Sequence, residues 1–260
     1  GTSGTKTVLF DQNGVVIASA SEEYPLYQPQ NGYAEQDPAD WYQATIHTIA
    51  KVMKTSGVPK EEVKGIGLSG QMHGLVMLDD QYQVIRRSII WCDQRTAAEC
   101  AEITERVGAQ RLIEITANPA LTGFTASKIL WVRNHEPEHY AKCRYILLPK
   151  DYIRFMLTGE IATEVSDASG MQLLDIPKRQ WSDEVLEKLE IDKSMLGKVY
   201  ESPEITGRVI PKAAELTGLA AGTIVVGGAG DNAAAAVGTG VVTDGKAFTT
   251  IGTSGVVFAH

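Results

Sequence analysis

Two periods of apolar residues alternate along the chain, a two-residue period and a three-to-four-residue period, and the changes between them mark the elements. Thr5 to Phe10 reads as a strand, Asp11-Gln12-Asn13-Gly14 as a turn in which Asn-Gly supplies positive φ, and Val15 to Ala20 as the returning strand of a hairpin. Asp37 followed by Pro38 is an N-cap and a first helical position. Tyr42, Ile46, Ile49 and Met53 then recur at helical spacing up to Ser56-Gly57. Two short apolar runs, Val63 to Ser69 and Leu75 to Leu78, flank the polar, glycine-bounded Ser69-Gly70-Gln71-Met72-His73-Gly74. That order predicts strand, functional bend, strand, with a third strand running to Trp91.

Helical spacing returns from Thr96 to Thr116 and from Ala126 to His135, where Ile129, Leu130 and Val132 point inward. Trp41, Trp131 and Trp181 sit in helical patterns and are assigned to the core. A strand over Tyr145 to Leu148 leads into a helix through Tyr152, Phe155 and Met156 that stops at Thr158-Gly159. A loop-rich stretch follows, then a helix over Trp181 to Leu189 with Ser182 as N-cap, then a β-branched strand over Thr223 to Val226. Gly227-Gly228-Ala229-Gly230 leads on to Asp231-Asn232 and the small residues Ala233 to Ala236, a glycine turn with Asp231 at a helix start. A last strand pair, Ala247 to Thr250 and Val256 to Ala259, encloses Ile251-Gly252-Thr253-Ser254-Gly255.

Composition narrows the function classes. With 260 residues, 43% of them hydrophobic and 22% charged, the chain has an ordinary globular balance and length for one large or two small domains. The net charge of -8, from 24 basic and 32 acidic side chains with no like-charge run, disfavours a nucleic-acid surface. A local ring of backbone N–H groups can hold phosphate whatever the net charge. Cys92, Cys100 and Cys143 lack metal-ligand spacing and fit neither a disulfide framework nor a zinc site, so a cytoplasmic setting is expected. No stretch approaches about 18 consecutive apolar residues, and the N-terminus lacks signal-peptide order, so no membrane partner is expected.

The tetrapeptide G-T-S-G stands at residues 1 to 4 and again at 252 to 255. A repeated glycine-hydroxyl turn suggests two similar half-structures facing one ligand, with N–H and hydroxyl donors aimed at phosphate oxygens. The spaced G-K-[ST] ending of a Walker loop is missing from both copies. An ordinary hairpin turn for the second copy and a tag remnant for the first stay open on this motif alone. Asp231 is the leading catalytic candidate, since a carboxylate at a glycine-turn helix start faces the open end of a sheet; an N-cap is the competing role. His73, in a polar bend between strands, is a ligand contact or a structural histidine. Asp93 and Arg95 of W-C-D-Q-R are a sugar-binding group or an ion pair fixing a loop.

Taken in order, several segments resemble the FGGY carbohydrate kinases over nearly the whole chain. They are G-T-S-G-T-K at 1 to 6, G-L-S-G-Q-M-H-G-L-V at 67 to 76, W-C-D-Q-R at 91 to 95, T-G-F-T-A-S-K-I-L-W-V at 122 to 132 and L-L-P-K-D-Y at 147 to 152. S-D-A-S-G at 166 to 170, G-D-N-A at 230 to 233 and I-G-T-S-G-V at 251 to 256 complete the series. The Q-M-H-G bend is similar to the branch of the family that acts on D-xylulose, and differs from glycerol kinase.

The resemblance implies an α/β, actin-like ATPase or ribonuclease-H-like fold, a mixed sheet flanked by helices, with a second such domain only begun. It implies a sugar-binding N-terminal domain over 1–243 and the start of a nucleotide-binding C-terminal domain over 244–260, the rest of that domain being an expected partner. It further implies ATP and Mg²⁺ as cofactors and transfer of the γ-phosphate to the 5-hydroxyl of D-xylulose. By the same resemblance Asp231 is the base, and Met72, His73 and Asn232 contact the sugar. Thr2, Ser3, Thr5 and Lys6 form one phosphate loop, and Gly252, Thr253 and Ser254 the other. The family's D-x-G-T start places an acidic residue two positions before Gly1, so the metal ligands are unassigned and this chain alone is expected to bind ATP poorly and turn over little. A kinase for another ketose or polyol, a non-catalytic sugar-binding fragment and an actin-like scaffold are the competing readings, and assembly as a homodimer stays open.

Overall fold

A computed structural model describes residues 1–251 and 255–260. Its layers are legible in a single strand. Val76–Leu78 pairs antiparallel with Tyr145–Leu147, matching Val76 to Leu147 and Met77 to Ile146. Successive side chains of a strand point to opposite faces. Leu75 and Met77, with Ile146 and Leu148, accordingly enter one core with Ile103, Leu112, Ile129, Leu130 and Leu186. Val76, Leu78 and Leu147 enter a second core with Trp41, Ile46, Ile153, Leu157 and Val225. Helices Ala97–Val107, Thr125–His135 and Asp183–Leu189 cover the first face, and Pro38–Ser56, Pro149–Thr158 and Pro211–Thr217 the second. This is helix, sheet, helix layering around two buried faces.

Helix limits follow local chemistry. Pro38–Ser56 starts where the Asp37 carboxylate accepts the Ala39 N–H at 2.9 Å and ends at Gly57 in the left-handed region. Asp183–Leu189 starts at Ser182, whose Oγ accepts the Val185 N–H; Trp181, expected to open this helix, instead precedes it in the strand Gln180–Trp181 and still lies in the core. The helical spacing of Thr96 to Thr116 is two helices, Ala97–Val107 and Ala109–Thr116, because Gly108 at φ 93° interrupts the turn between them. The first hairpin pairs Gly4–Phe10 with Val16–Glu23 around a five-residue loop, 11–15, rather than a tight Asn-Gly turn. Only Gly14 there has positive φ, and the Asp11 carboxylate organises the loop by accepting the Asn13 and Val15 N–H groups.

The expected loop-rich stretch carries the strand Ala162–Glu164, the short helix Val165–Ala168 and a small hairpin, Leu174–Asp175 with Gln180–Trp181. Strands Lys198–Tyr200 and Ile205–Arg208 and the helix Pro211–Thr217, unread in the sequence, lie before Ile224–Val226. Ile224–Val226 joins Gly65–Ile66 in parallel and Ile205–Arg208 antiparallel, a mixed three-stranded ladder. The final hairpin, Ala247–Ile251 with Gly255–Ala259, leaves Ile251 91% and Val257 76% exposed.

Between the first hairpin and the Gly65–Gly70 run lies a cleft of about 770 Å³, lined among others by Thr5, Lys6, Trp41, Ile66, Leu68 and Gly70. Among the described residues, Gly4–Phe10 pairs only with Val16–Glu23, so its other edge faces this cleft.

Candidate active site

Two parallel runs end side by side. After Gly65–Ile66 pairs with Ile224–Val226, the chain resumes pairing with Ser69–Gly70 beside Ala229–Gly230, matching Ser69 to Ala229 and Gly70 to Gly230. Between the ladders Gly228, at φ 73°, lies so close to Leu68 that a Cβ would meet the Leu68 carbonyl oxygen at 2.1 Å, while the Ala229 N–H donates to that same oxygen at 2.9 Å. Only glycine fits this approach. The two runs therefore deliver Gln71-Met72-His73 and Asp231-Asn232 to one sheet end, the end of parallel strands where ligands collect. Their contact is direct, since a Cβ on Gly230 would lie 2.9 Å from Met72 Cγ.

Asp231 is the first residue of the helix Asp231–Thr239, whose N-cap is Gly230. Its carboxylate accepts its neighbour's N–H, that of Asn232, at 2.9 Å. Its side chain reaches solvent, yet the surrounding chain excludes enough water to raise its carboxyl above the usual range, opposed by the Asn232 N–H and by the Gly1 amino group. A carboxylate at this place is open to solvent at the end of the parallel strands and can accept a proton.

His73 is held in the left-handed region at φ 70°. Its Nδ1 lies 2.9 Å from the Gly170 carbonyl, which accepts, so Nδ1 carries the proton and Nε2 is the acceptor of the neutral ring. Burial, with the Lys128 charge adding to it, lowers the His73 pKa to about 4, so the ring is neutral near pH 7. Phe124 packs edge-on at 4.6 Å, and Gly170 is glycine because a Cβ there would meet the imidazole at 2.4 Å.

The first G-T-S-G copy approaches the same end. Trp91 Nε1 donates to Thr2 Oγ1 at 2.8 Å, and Gln36 Nε2 donates to the Thr2 carbonyl at 2.6 Å. Gln36 Oε1 in turn accepts from Trp41 Nε1 and from Gln71 Nε2, which links the Thr2 segment to the Gln71 bend. Ser3 is exposed and its carbonyl accepts the Tyr24 N–H. Thr5 and Lys6 run up the hairpin strand and line the cleft rather than closing around Thr2. Gly252, Thr253 and Ser254 lie outside the described residues.

Asp93 and Arg95 are an ion pair fixing a loop. Arg95 Nε and Nη2 donate to the two Asp93 oxygens at 3.0 and 2.7 Å, Arg95 also reaches Glu35, and Asp93 accepts the Ala34 N–H at 2.6 Å. Asp93 is fully buried.

Beneath the glycine turn lies a buried charge cluster that residue patterning missed: Lys150, Asp151, Arg154, Glu164 and Asp167. Arg154 donates to the Gly227 carbonyl and, at 2.8 Å, to that of Ala162. Ser166 Oγ accepts the Gly230 N–H at 3.2 Å and donates to Glu164 at 2.9 Å. Both ends of the turn before Asp231 are thus tied to the cluster. Lys150, Asp151 and Arg154 share one face of a helix through spacings of three and four, but the same spacing serves a solvated face equally well, so burial was not readable from it. Among the described residues no group of three or more His, Cys, Asp or Glu is placed to hold a metal ion.

Residues 1–238 match the N-terminal domain of the FGGY family of carbohydrate kinases. The chain is 45% identical to xylulose kinase from Bacillus subtilis over 260 residues, 100% of this chain and 52% of that protein. It is 44% identical to xylulose kinase from Escherichia coli, with 100% and 52% covered. The crystal structure of xylulose kinase from Rhodospirillum rubrum superposes with a TM-score of 0.94 at 29% identity, covering 98% of this chain and 52% of that one. The chain thus spans about half the length of these relatives.

Proposed function

Because the chain belongs to the FGGY family of carbohydrate kinases and has its actin-like ATPase fold, we propose that it is the sugar-binding half of an ATP-dependent kinase that phosphorylates D-xylulose. The single observation that carries this reading is the pairing of Ser69–Gly70 with Ala229–Gly230, which brings the Q-M-H-G bend to Asp231. Met72, His73 and Asn232 hold the sugar, with the bare Nε2 of His73 accepting a sugar hydroxyl. Asp231 accepts the proton of the attacking hydroxyl as its oxygen bonds to the γ-phosphorus and the bond to the departing ADP breaks. In this reading Thr2, Ser3, Thr5 and Lys6 meet the phosphates on one side and Gly252, Thr253 and Ser254 on the other.

The chain offers no side-chain cage for Mg²⁺ among its described residues, so Mg²⁺ would arrive with the ATP phosphates and neutralise part of their charge. Residues 1–243 form the sugar domain and 244–260 begin the nucleotide domain; the exposure of Ile251 and Val257 on the last hairpin supports an apolar face that the rest of that domain covers. The test is ADP release with Mg-ATP and D-xylulose, D-ribulose, L-xylulose or glycerol, on the chain joined to its other half. D-Xylulose is expected to be preferred; preference for another sugar replaces the substrate, and release with none removes the kinase.

A further inference from the structure

The segment 122–128, T-G-F-T-A-S-K, does no chemistry in this scheme, yet it touches His73 at both its carbonyl and its ring. Lys128 is fully buried, and its Nζ donates to the His73 carbonyl at 3.0 Å and to the Gly123 carbonyl at 2.7 Å. The Thr125 hydroxyl donates to the same His73 carbonyl at 3.0 Å. Phe124 takes the edge of the imidazole. We propose that Lys128 and Thr125 are positioning residues that clamp the His73 carbonyl, hold this residue in its left-handed conformation, and so aim Nε2 as the acceptor that selects a sugar hydroxyl.

Three physical points support the clamp. A non-glycine residue in the left-handed region costs free energy, so the conformation persists only where its surroundings fix it, and two donors on one carbonyl do so. A buried amine is costly and is retained where it has acceptors; Lys128 has two carbonyls. When protonated, it also adds to the burial that keeps the imidazole neutral, and a neutral ring is what leaves Nε2 free to accept. Burial lowers the Lys128 pKa to about 7, opposed by Asp93 and Cys92; Arg95 lowers it and Cys100 raises it. Lys128 and the Gly170 carbonyl are the groups that bear on His73.

The inference rests on the sugar-kinase reading for its kinetic consequence but not for its structural one, and the test separates them. In the two-domain protein, Lys128→Met is expected to raise the sugar KM roughly tenfold, with kcat and the KM for ATP little changed. Thr125→Val is expected to raise the sugar KM by about fivefold, and Thr125→Ser to restore it. The His73 ring, followed by NMR, is expected to titrate above about 4 in Lys128→Met, because the neighbouring cation is gone. An unchanged sugar KM in folded Lys128→Met, or in Thr125→Val if Lys128→Met does not fold, overturns the clamp. If the wild-type protein phosphorylates no sugar, the kinase reading falls, and the clamp stands or falls on the His73 titration.

Discussion

Gly230 is the register partner of Gly70, so the residue before Asp231 lies beside the residue two before Met72. Gly230 lacks the Cβ that would meet Met72, and Gly70 lacks the one that would meet Lys150 Cβ at 2.7 Å, so the bend and the helix start can share one floor. In Gly230→Ala the new Cβ would press on the flexible Met72 side chain, at 2.9 Å from Cγ and 3.0 Å from Sδ. The expected result is a loss of about 1 kcal/mol in stability, with a several-fold rise in sugar KM as Met72 moves. Gly228→Ala meets the Leu68 backbone at 2.1 Å with φ at 73°, and is expected to lose more than about 4 kcal/mol. Urea unfolding of both variants checks the order.

Asp93 offers a test of its structural role. Asp93→Ala removes the partner of a buried guanidinium and the acceptor of the Ala34 N–H, and is expected to cost about 3–5 kcal/mol. Sugar KM in the protein that remains folded is expected to hold. Retained stability with lost sugar affinity would return Asp93 to the sugar site.

The buried groups predict a pH dependence with opposing parts. His73, lowered from 6.5 to about 4, binds more protons when unfolded, so its contribution is complete above pH 6.5 and is lost as pH falls toward 4. Asp167 is raised from 3.8 to about 7, chiefly by burial and then by Asp151 and Glu164 against the pull of Lys150. It binds its proton in the folded state, so its contribution is complete below pH 3.8 and is lost as pH rises toward 7. Two cations, Lys150 and Arg154, face three carboxyls, so a proton on Asp167 balances the cluster. Asp167→Asn is therefore expected to remove the loss between pH 4 and 7 and to leave stability rising with pH across that window. Melting curves at pH 4.5, 5.5, 6.5 and 7.5 read this out; a wild-type pH slope in the variant would contradict it.

The sequence made some parts legible and hid others for physical reasons. Asp37-Pro38 and Gly57 bounded a helix because caps are local chemistry, and the helix Pro38–Ser56 follows them. The floor of the site was readable as two motifs, but their union was not, since strands 160 residues apart leave no local trace of their register. The apolar spacing that continues into Asp183–Leu189 makes Trp181 read as helical; pairing with Leu174 makes it a strand residue instead. The charges under the glycine turn stayed hidden because burial is a property of the packed layers, and Lys150, Asp151 and Arg154 look like any solvated helix face.

The most direct test of the proposed site is the comparison of wild type and Asp231→Asn in the two-domain protein, with ADP release measured beside calorimetric sugar binding. Sugar affinity is expected to stay close to wild type and kcat to fall by about 10²–10⁴, because the lost proton acceptor acts in the transition state. Unchanged turnover in Asp231→Asn would remove Asp231 from the chemistry and leave it as the first residue of its helix, behind the Gly230 cap.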